Sequence, residues 1–391
     1  MNNFHKYFIT IALVSNLYAL EESTASSKNI PIKQNGLLEL KNANTVLSIG
    51  GRIQLDSIYG WPQGSFFAGK IPLESQGENG QLYMDARNSR FWIKTRTPSE
   101  YGPIRTLVEI DFLGTAKGTE ANTNSHGPRL RHAYVEANGF TFGQTNSAFN
   151  AFVTLDIIAF AINDTFVRQP LIRYSIESRA FAYDLSFEQP ETTLLDVNGS
   201  IITPQDDKLP DVIARVRYYS SWGEASTAVL GRYITQDQKD NSKKDASLAW
   251  GVNMSAKIKL YELNDIRFDA QYGLGIGRYI SYNAYPSGSM DVDGNIKLQP
   301  AYGAHLGYRH WWNKELRSTL AFAYSGTRNN LNNVSNLGNI NRYAYGTQAN
   351  LMWMPVKNSL LGLEYANATR QVEDKKTGNM QSIQLFMRYD F

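Results

Sequence analysis

From Thr45 to the end of the chain, apolar and polar residues change places in steps of two. In 379–391, Ile383, Leu385, Met387, Tyr389 and Phe391 share one parity, while Ser382, Gln384, Arg388 and Asp390 share the other. In 103–113, Ile104, Val108, Ile110 and Phe112 oppose Arg105, Glu109 and Asp111. In 359–370, Leu361, Leu363 and Tyr365 oppose Glu364 and Arg370. Successive side chains of a β-strand point to opposite faces, so this is the pattern of strands with one oily and one wet face. It predicts strands near 45–59, 86–98, 103–113, 129–138, 140–146, 170–178, 181–190, 211–220, 224–235, 246–259, 266–280, 300–311, 316–327, 342–354, 359–370 and 379–391.

The connections alternate in length. Short ones hold 99–102, 138–139, 177–180, 220–223, 260–265, 312–315 and 355–358; long ones lie near 60–85, 114–128, 147–169, 191–210, 236–245, 281–299, 328–341 and 371–378. Short turns on one side and long loops on the other are expected of outer-membrane barrels. The fold class read from this is all-β: a 16-stranded antiparallel transmembrane β-barrel with an inward-folded constriction loop. A barrel of that size has room for water inside, so polar-in and apolar-out is the consistent arrangement. Tyr59, Trp61, Trp250, Trp311, Trp312 and Trp353 fall near strand ends, where amphipathic rings suit the membrane interface. The terminal Phe391 fits the assembly signal of such barrels.

The first 44 residues differ. Residues 1–19 place Lys6 before an apolar run from Phe8 to Val14 and end on the small Ala19, the layout of an export signal peptide. Residues 20–44 are polar, interrupted by Pro31 and Gly36, and read as a periplasmic tail before the barrel of 45–391. Later in the chain, the apolar stretch Ile157 to Ile162 is closely flanked by Asp156 and Asp164, so a membrane-spanning helix is not signalled.

Composition agrees and excludes much else. The chain holds 23 Tyr, 18 Phe and 7 Trp, which argues against disorder. It has no cysteine, which removes disulfide scaffolds, thiol catalysis and cysteine-held zinc. The formal charge of +3 is too balanced for a nucleic-acid binder.

On the wet faces, the basic residues are Arg90, Lys94, Arg96, Arg105, Arg173, Arg215, Arg217, Arg232, Arg309 and Arg388; the acids are Glu109, Asp111, Glu177, Asp269 and Glu364. Guanidinium groups stay charged and grip carboxylates with two parallel hydrogen bonds. An Arg-rich lumen therefore predicts preference for small anions, carboxylates among them. The alternative is that these cations pair with neighbouring acids and brace the wall. The loop at 147–169 carries many apolar residues that are poorly placed in water; folded inward it would narrow the pore, with Asp156, Asp164 and Arg168 beside the constriction. The alternative there is an outward loop packed on a neighbouring subunit. Gly273, Gly275 and Gly277 read as small residues on one strand face, and 291–295 as an ordinary turn rather than a calcium loop.

Three segments, 86–103 (ARNSRFWIKTRTPSEYGP), 127–149 (GPRLRHAYVEANGFTFGQTNSAF) and 167–177 (VRQPLIRYSIE), resemble the DcaP-like outer-membrane porins, and 50–61 (GGRIQLDSIYGW) resembles that family's first strand. The resemblance implies a homotrimer of 16-stranded barrels in the bacterial outer membrane, passing small anionic solutes such as dicarboxylates without cofactor or metal. It places Arg90, Lys94, Arg96, Arg131, Arg168 and Arg173 in family-type motifs. Two other classes remain as alternatives: a lipase-like barrel enzyme and a structural or adhesive barrel. Against the enzyme, the five histidines include His5 in the signal segment, and His305 and His310 differ in parity.

Overall fold

The computed structural model describes residues 40–42, 44–62, 64, 68–73, 80–114, 121, 123–159, 162–204, 207–237, 244–261, 263–332 and 334–391. The expected signal peptide and nearly all of the polar tail lie outside the described residues. Sixteen antiparallel strands close into one barrel. They are β1 (Thr45–Trp61), β2 in two segments (Gln81–Asp85 and Arg90–Thr97), β3 (Ile104–Asp111), β4 (Arg129–Ala137), β5 (Phe140–Asn146) and β6 (Arg168–Glu177). There follow β7 (Phe181–Glu188), β8 (Asp211–Ser220), β9 (Gly223–Asp237), β10 (Lys244–Lys259) and β11 (Asp265–Leu274). The last five are β12 (Pro300–Trp311), β13 (Leu316–Thr327), β14 (Asn341–Trp353), β15 (Ser359–Val372) and β16 (Thr377–Asp390).

Each strand pairs with its sequence neighbours, and β16 returns to β1 in the register Arg52 opposite Asp390 through Trp61 opposite Gln381. Closure removes every open strand edge, which is what a backbone in hydrocarbon requires. Among the described residues no helix is long and apolar enough to cross a membrane; the strands do the crossing.

The two-residue alternation sorts side chains as the sequence predicts. Leu306, Leu320, Phe322, Leu363, Ile383 and Leu385 are exposed on the outside. Their in-strand neighbours His305, Thr319, Glu364 and Gln384 are buried inside. This is the reverse of a soluble protein, and it is stable only with lipid as the outer solvent. On the outer wall Tyr302, Tyr324, Tyr343 and Tyr345 stack in succession, with ring centroids 6.2 to 6.3 Å apart. Towards the short-turn side Phe140 and Tyr174 lie 4.7 Å apart and Tyr218 and Trp222 6.0 Å apart.

Several boundaries differ from expectation. β2 begins at Gln81, inside the connection read as 60–85, and β15 and β16 leave only 373–376 between them, so the connection read as long at 371–378 is a short turn. β11 stops at Leu274 rather than near 280, because Gly275 turns into the left-handed region (φ 72°). A short 3-10 turn at Gly277–Tyr279 follows. Gly275 and Gly277 therefore do not extend a strand face. The segment beyond them pairs with the connection after β7 in a small sheet: Ile201–Ile202, Leu194–Leu195, Gly288–Met290 and Ile296–Leu298, in that order. Leu194, Ile234, Ala249 and Ile296 form its core. The main apolar cluster, with Phe149, Ile162, Ile276, Tyr279, Ile280 and Tyr285, sits inside the barrel. Part of the lumen is thus filled by loop segments, and the remainder is the candidate solute path.

Candidate functional site

The segment 147–167, between β5 and β6, folds into the barrel. Its apolar side chains drive this. Leu155, Ile157 and Val167 pack on the main internal cluster, and Ile158 packs on Met352, Leu360 and Phe386. Small wall residues make room: a Cβ on Gly307 would stand 2.6 Å from Leu155 Cδ2, and one on Gly362 would stand 2.8 Å from Ile158 Cδ1.

A loop inside a barrel must also satisfy its backbone. The wall supplies partners from β10 round to β15. Ser255 accepts from Phe152 N (3.2 Å), and Arg267 donates to Thr154 O (2.8 Å). Asn350 donates to Asp156 O (2.9 Å), and Gln348 to Ala159 O (3.1 Å). The Glu364 carboxylate accepts from Ile158 N and Ala159 N, both at 2.7 Å. Asp269 accepts from Thr165 Oγ1 (3.0 Å) and from Asn253 Nδ2 (2.6 Å). His305 Nδ1 meets Asn163 O at 2.8 Å. Three consecutive residues beyond the β11 turn, Ser281, Tyr282 and Asn283, hold left-handed φ values of 49°, 57° and 61°. Non-glycine residues pay roughly 1–2 kcal/mol each for this. It lets Ser281 N donate to Asp164 O (3.1 Å) and Tyr282 reach the Asp164 carboxylate (3.5 Å).

The proposed loop residues fall into different settings. Asp156 is nearly enclosed, 2.6 Å from Arg317 and 3.4 Å from Arg309. It holds the loop to the wall, where the expectation had put it beside the solute path. Asp164 is half-buried next to Tyr282, and burial pushes its carboxyl up to about 6. Arg168, the first residue of β6, stacks on Phe166 at 4.9 Å.

The wall cations divide likewise. Arg215 and Arg217 clamp Asp184 at 2.8 and 3.2 Å, and Arg217 also reaches Glu177 at 3.5 Å. Arg309 pairs with Asp265 as well as Asp156, and Arg232 with Asp211 at 3.0 Å. Arg90 stands 3.7 Å from Glu109, which Arg131 engages more closely at 2.6 Å. Arg129 and Arg131 share Asp111 at 2.6 and 2.9 Å. Lys94 lies 4.2 Å from the Trp92 ring.

Among the described residues, Lys94, Arg96, Arg105, Arg168 and Arg173 have no carboxylate within 4.0 Å. Among the same residues, buried nitrogens of Arg90 (Nε), Arg105 (Nη2), Arg168 (Nε) and Arg173 (Nε) have no hydrogen-bond partner. These residues stand on β2, β3 and β6, across the lumen from the strands that carry the loop. Sequence reasoning passed over Arg317, Arg267 and Asp184. Parity puts each of them inside, but it does not say which acid meets which base. Among the described residues there is no group of three or more metal-ligating side chains. Asp291 instead accepts from the backbone of Asp293 and Asn295, both at 2.9 Å, closing a turn.

The porin subfamily model matches residues 43–385. No curated protein sequence matches the chain. The fold is similar to the outer membrane channel DcaP of Acinetobacter baumannii, at 22% identity and TM-score 0.77, covering 90% of this chain and 99% of that one. It is also similar to an anion-selective porin from Comamonas acidovorans, at 12% identity and TM-score 0.58, covering 89% and 100%. OmpT of Vibrio cholerae, in its trimer form, matches at 9% identity and TM-score 0.53, covering 89% and 100%.

Proposed function

The chain belongs to the porin subfamily, the channels of the bacterial outer membrane, and on that premise we propose that it passes small anionic solutes, carboxylates in particular. One observation carries the reading. The inward loop lies on the wall from β10 to β15 and occupies the acids there, Asp269 and Glu364, as its own anchors. On the opposite wall, among the described residues, Lys94, Arg96, Arg105, Arg168 and Arg173 have no carboxylate within 4.0 Å. A solute passing between the two walls meets fixed positive charge on one side and a largely apolar loop on the other. Low dielectric on the loop side strengthens attraction to the cations. The donors are forks that match carboxylate oxygens, dicarboxylates included. Binding must stay weak enough for release, which several spaced cations achieve better than one deep site. No chemical step or cofactor is involved.

Reversal potentials under a salt gradient in planar bilayers test this. The wild-type channel is expected to prefer anions, and Arg90→Ala, Lys94→Ala and Arg168→Ala together are expected to reduce that preference. A cation-selective wild type would overturn the reading. We also read the protein as a homotrimer. The trimeric OmpT and the motif resemblance support this, and cross-linking in native membranes that yields monomer alone would count against it.

A further inference from the structure

We propose that a second anion-binding station lies on the periplasmic side of the constriction, built on Arg96, Arg105 and Arg173, and that it takes a small carboxylate or similar oxyanion. It rests on the anion-channel reading above. The strand register makes the station a single row. Arg96 faces Arg105 across β2 and β3, Arg105 faces Glu136 on β4, Glu136 faces Thr141 on β5, and Thr141 faces Arg173 on β6. Cross-strand neighbours lie roughly 5 Å apart, and every residue of such a row shares one face. That face is inward, because Ile93, Ile104, Phe142 and Ile172 on the other parity are exposed outside.

Two features mark this row as a candidate site. First, two like charges directly opposite each other destabilise a sheet, yet neither Arg96 nor Arg105 has a carboxylate within 4.0 Å among the described residues. The pairs Arg129–Asp111 and Arg215–Asp184 show how the same barrel neutralises Arg where the charge only braces the wall. Second, among the described residues, Arg105 Nη2 and Arg173 Nε are buried donors with no hydrogen-bond partner. Both cations flank Glu136 and Tyr134. Glu136 is the one acid of the row, and it keeps the net attraction low enough for release.

Position separates this station from the constriction. Arg96 and Arg105 sit one residue inside the turn 98–103, on the short-turn side of the barrel. There Arg96 also lines a cavity of about 380 Å³ with Asn44, Val46, Pro98, Ser99, Gly102 and Pro103, which Arg105 and Arg173 do not line. Arg168 belongs to the far, long-loop end of β6. A solute leaving the constriction therefore meets a second set of forks before the periplasm.

The test is one-sided block by malonate of wild-type channels inserted in a known orientation. Arg96→Gln with Arg105→Gln is expected to weaken block from the periplasmic side roughly tenfold, the effect of losing one charge-assisted contact, with block from the extracellular side changed much less. Arg96→Gln alone, at an exposed side chain, supplies a second variant should the double one assemble poorly. An unchanged periplasmic block, or equal weakening from both sides, would falsify the station. Loss of anion preference in the wild type would instead overturn the function on which it rests.

Discussion

Asp156 Oδ2 lies 2.6 Å from Arg317 Nε, and this contact fixes the middle of the inward loop to β13. Asp156 is joined there by Arg309, so one loop carboxylate faces two wall cations. Removing Asp156 leaves both guanidinium groups facing one another with less countercharge, and breaking such a buried pair costs about 3–5 kcal/mol. Asp156→Ala is expected to raise single-channel conductance and current noise as the loop loosens, with a lower melting temperature in detergent. Unchanged conductance would mean the backbone contacts to Glu364 and Asn350 suffice to hold the loop.

The same logic applies to Glu364, whose two oxygens accept from Ile158 N and Ala159 N. Glu364→Gln replaces one acceptor with a donor that faces an N–H. It is expected to destabilise the barrel by about 1–3 kcal/mol, the cost of an unsatisfied buried group. Urea unfolding of the lipid-reconstituted protein measures this directly.

Asp164 gives the channel a pH dependence of definite sign. Burial holds its carboxyl up at about 6. Above that value it carries a negative charge beside Tyr282, which also feels Arg168. As pH falls through about 6 the charge is lost while the guanidinium groups keep theirs. Anion preference is therefore expected to rise between pH 7 and pH 5. Asp164→Asn is expected to show the low-pH preference throughout and no step. A step of the same size in that variant would assign the titration to another group.

The lipid face permits a control. Leu320 is exposed on the outside of β13, while Thr319 beside it is buried inside. Leu320→Arg is expected to cost about 2–4 kcal/mol in lipid if it lies near the midplane. It should leave ion selectivity unchanged, because the new charge faces away from the lumen. Selectivity altered as much as by an inward substitution would contradict the inside-out arrangement.

Phe391 exchanges both backbone hydrogen bonds with Gly51 at 3.0 Å, and its ring lies 6.1 Å from Phe91. The last residue thus helps close the barrel seam between β1 and β16. Phe391→Ala is expected to lower the yield of assembled, heat-modifiable barrel in the outer membrane by several-fold. Normal assembly would show that the seam closes without the ring.

Much of this architecture was legible in the chain. The alternation of Leu361, Leu363 and Tyr365 with Glu364 announces a strand between lipid and water, because a strand offers its side chains only two directions. The apolar run around Ile157 and Ile158 likewise announced a loop that must leave the water. The connections set apart the antiparallel neighbours, although the one read as long at 371–378 is the short turn 373–376, because β15 and β16 run further than the alternation showed.

What the chain by itself could not decide is which partner each charged residue meets. Parity puts Arg96, Arg105, Arg215 and Arg309 on the same inner surface. The structure then gives Arg215 a carboxylate at 2.8 Å and, among the described residues, leaves Arg105 without one within 4.0 Å. An arginine reaches farther than the spacing between strands, so several acids on neighbouring strands are within range of each. Register, barrel stagger and the landing place of the inward loop select among them. Asp156 shows the consequence: its position beside an apolar run was plain from the sequence, but only the closed barrel brought Arg309 and Arg317 to it, because those residues lie more than 150 positions away along the chain.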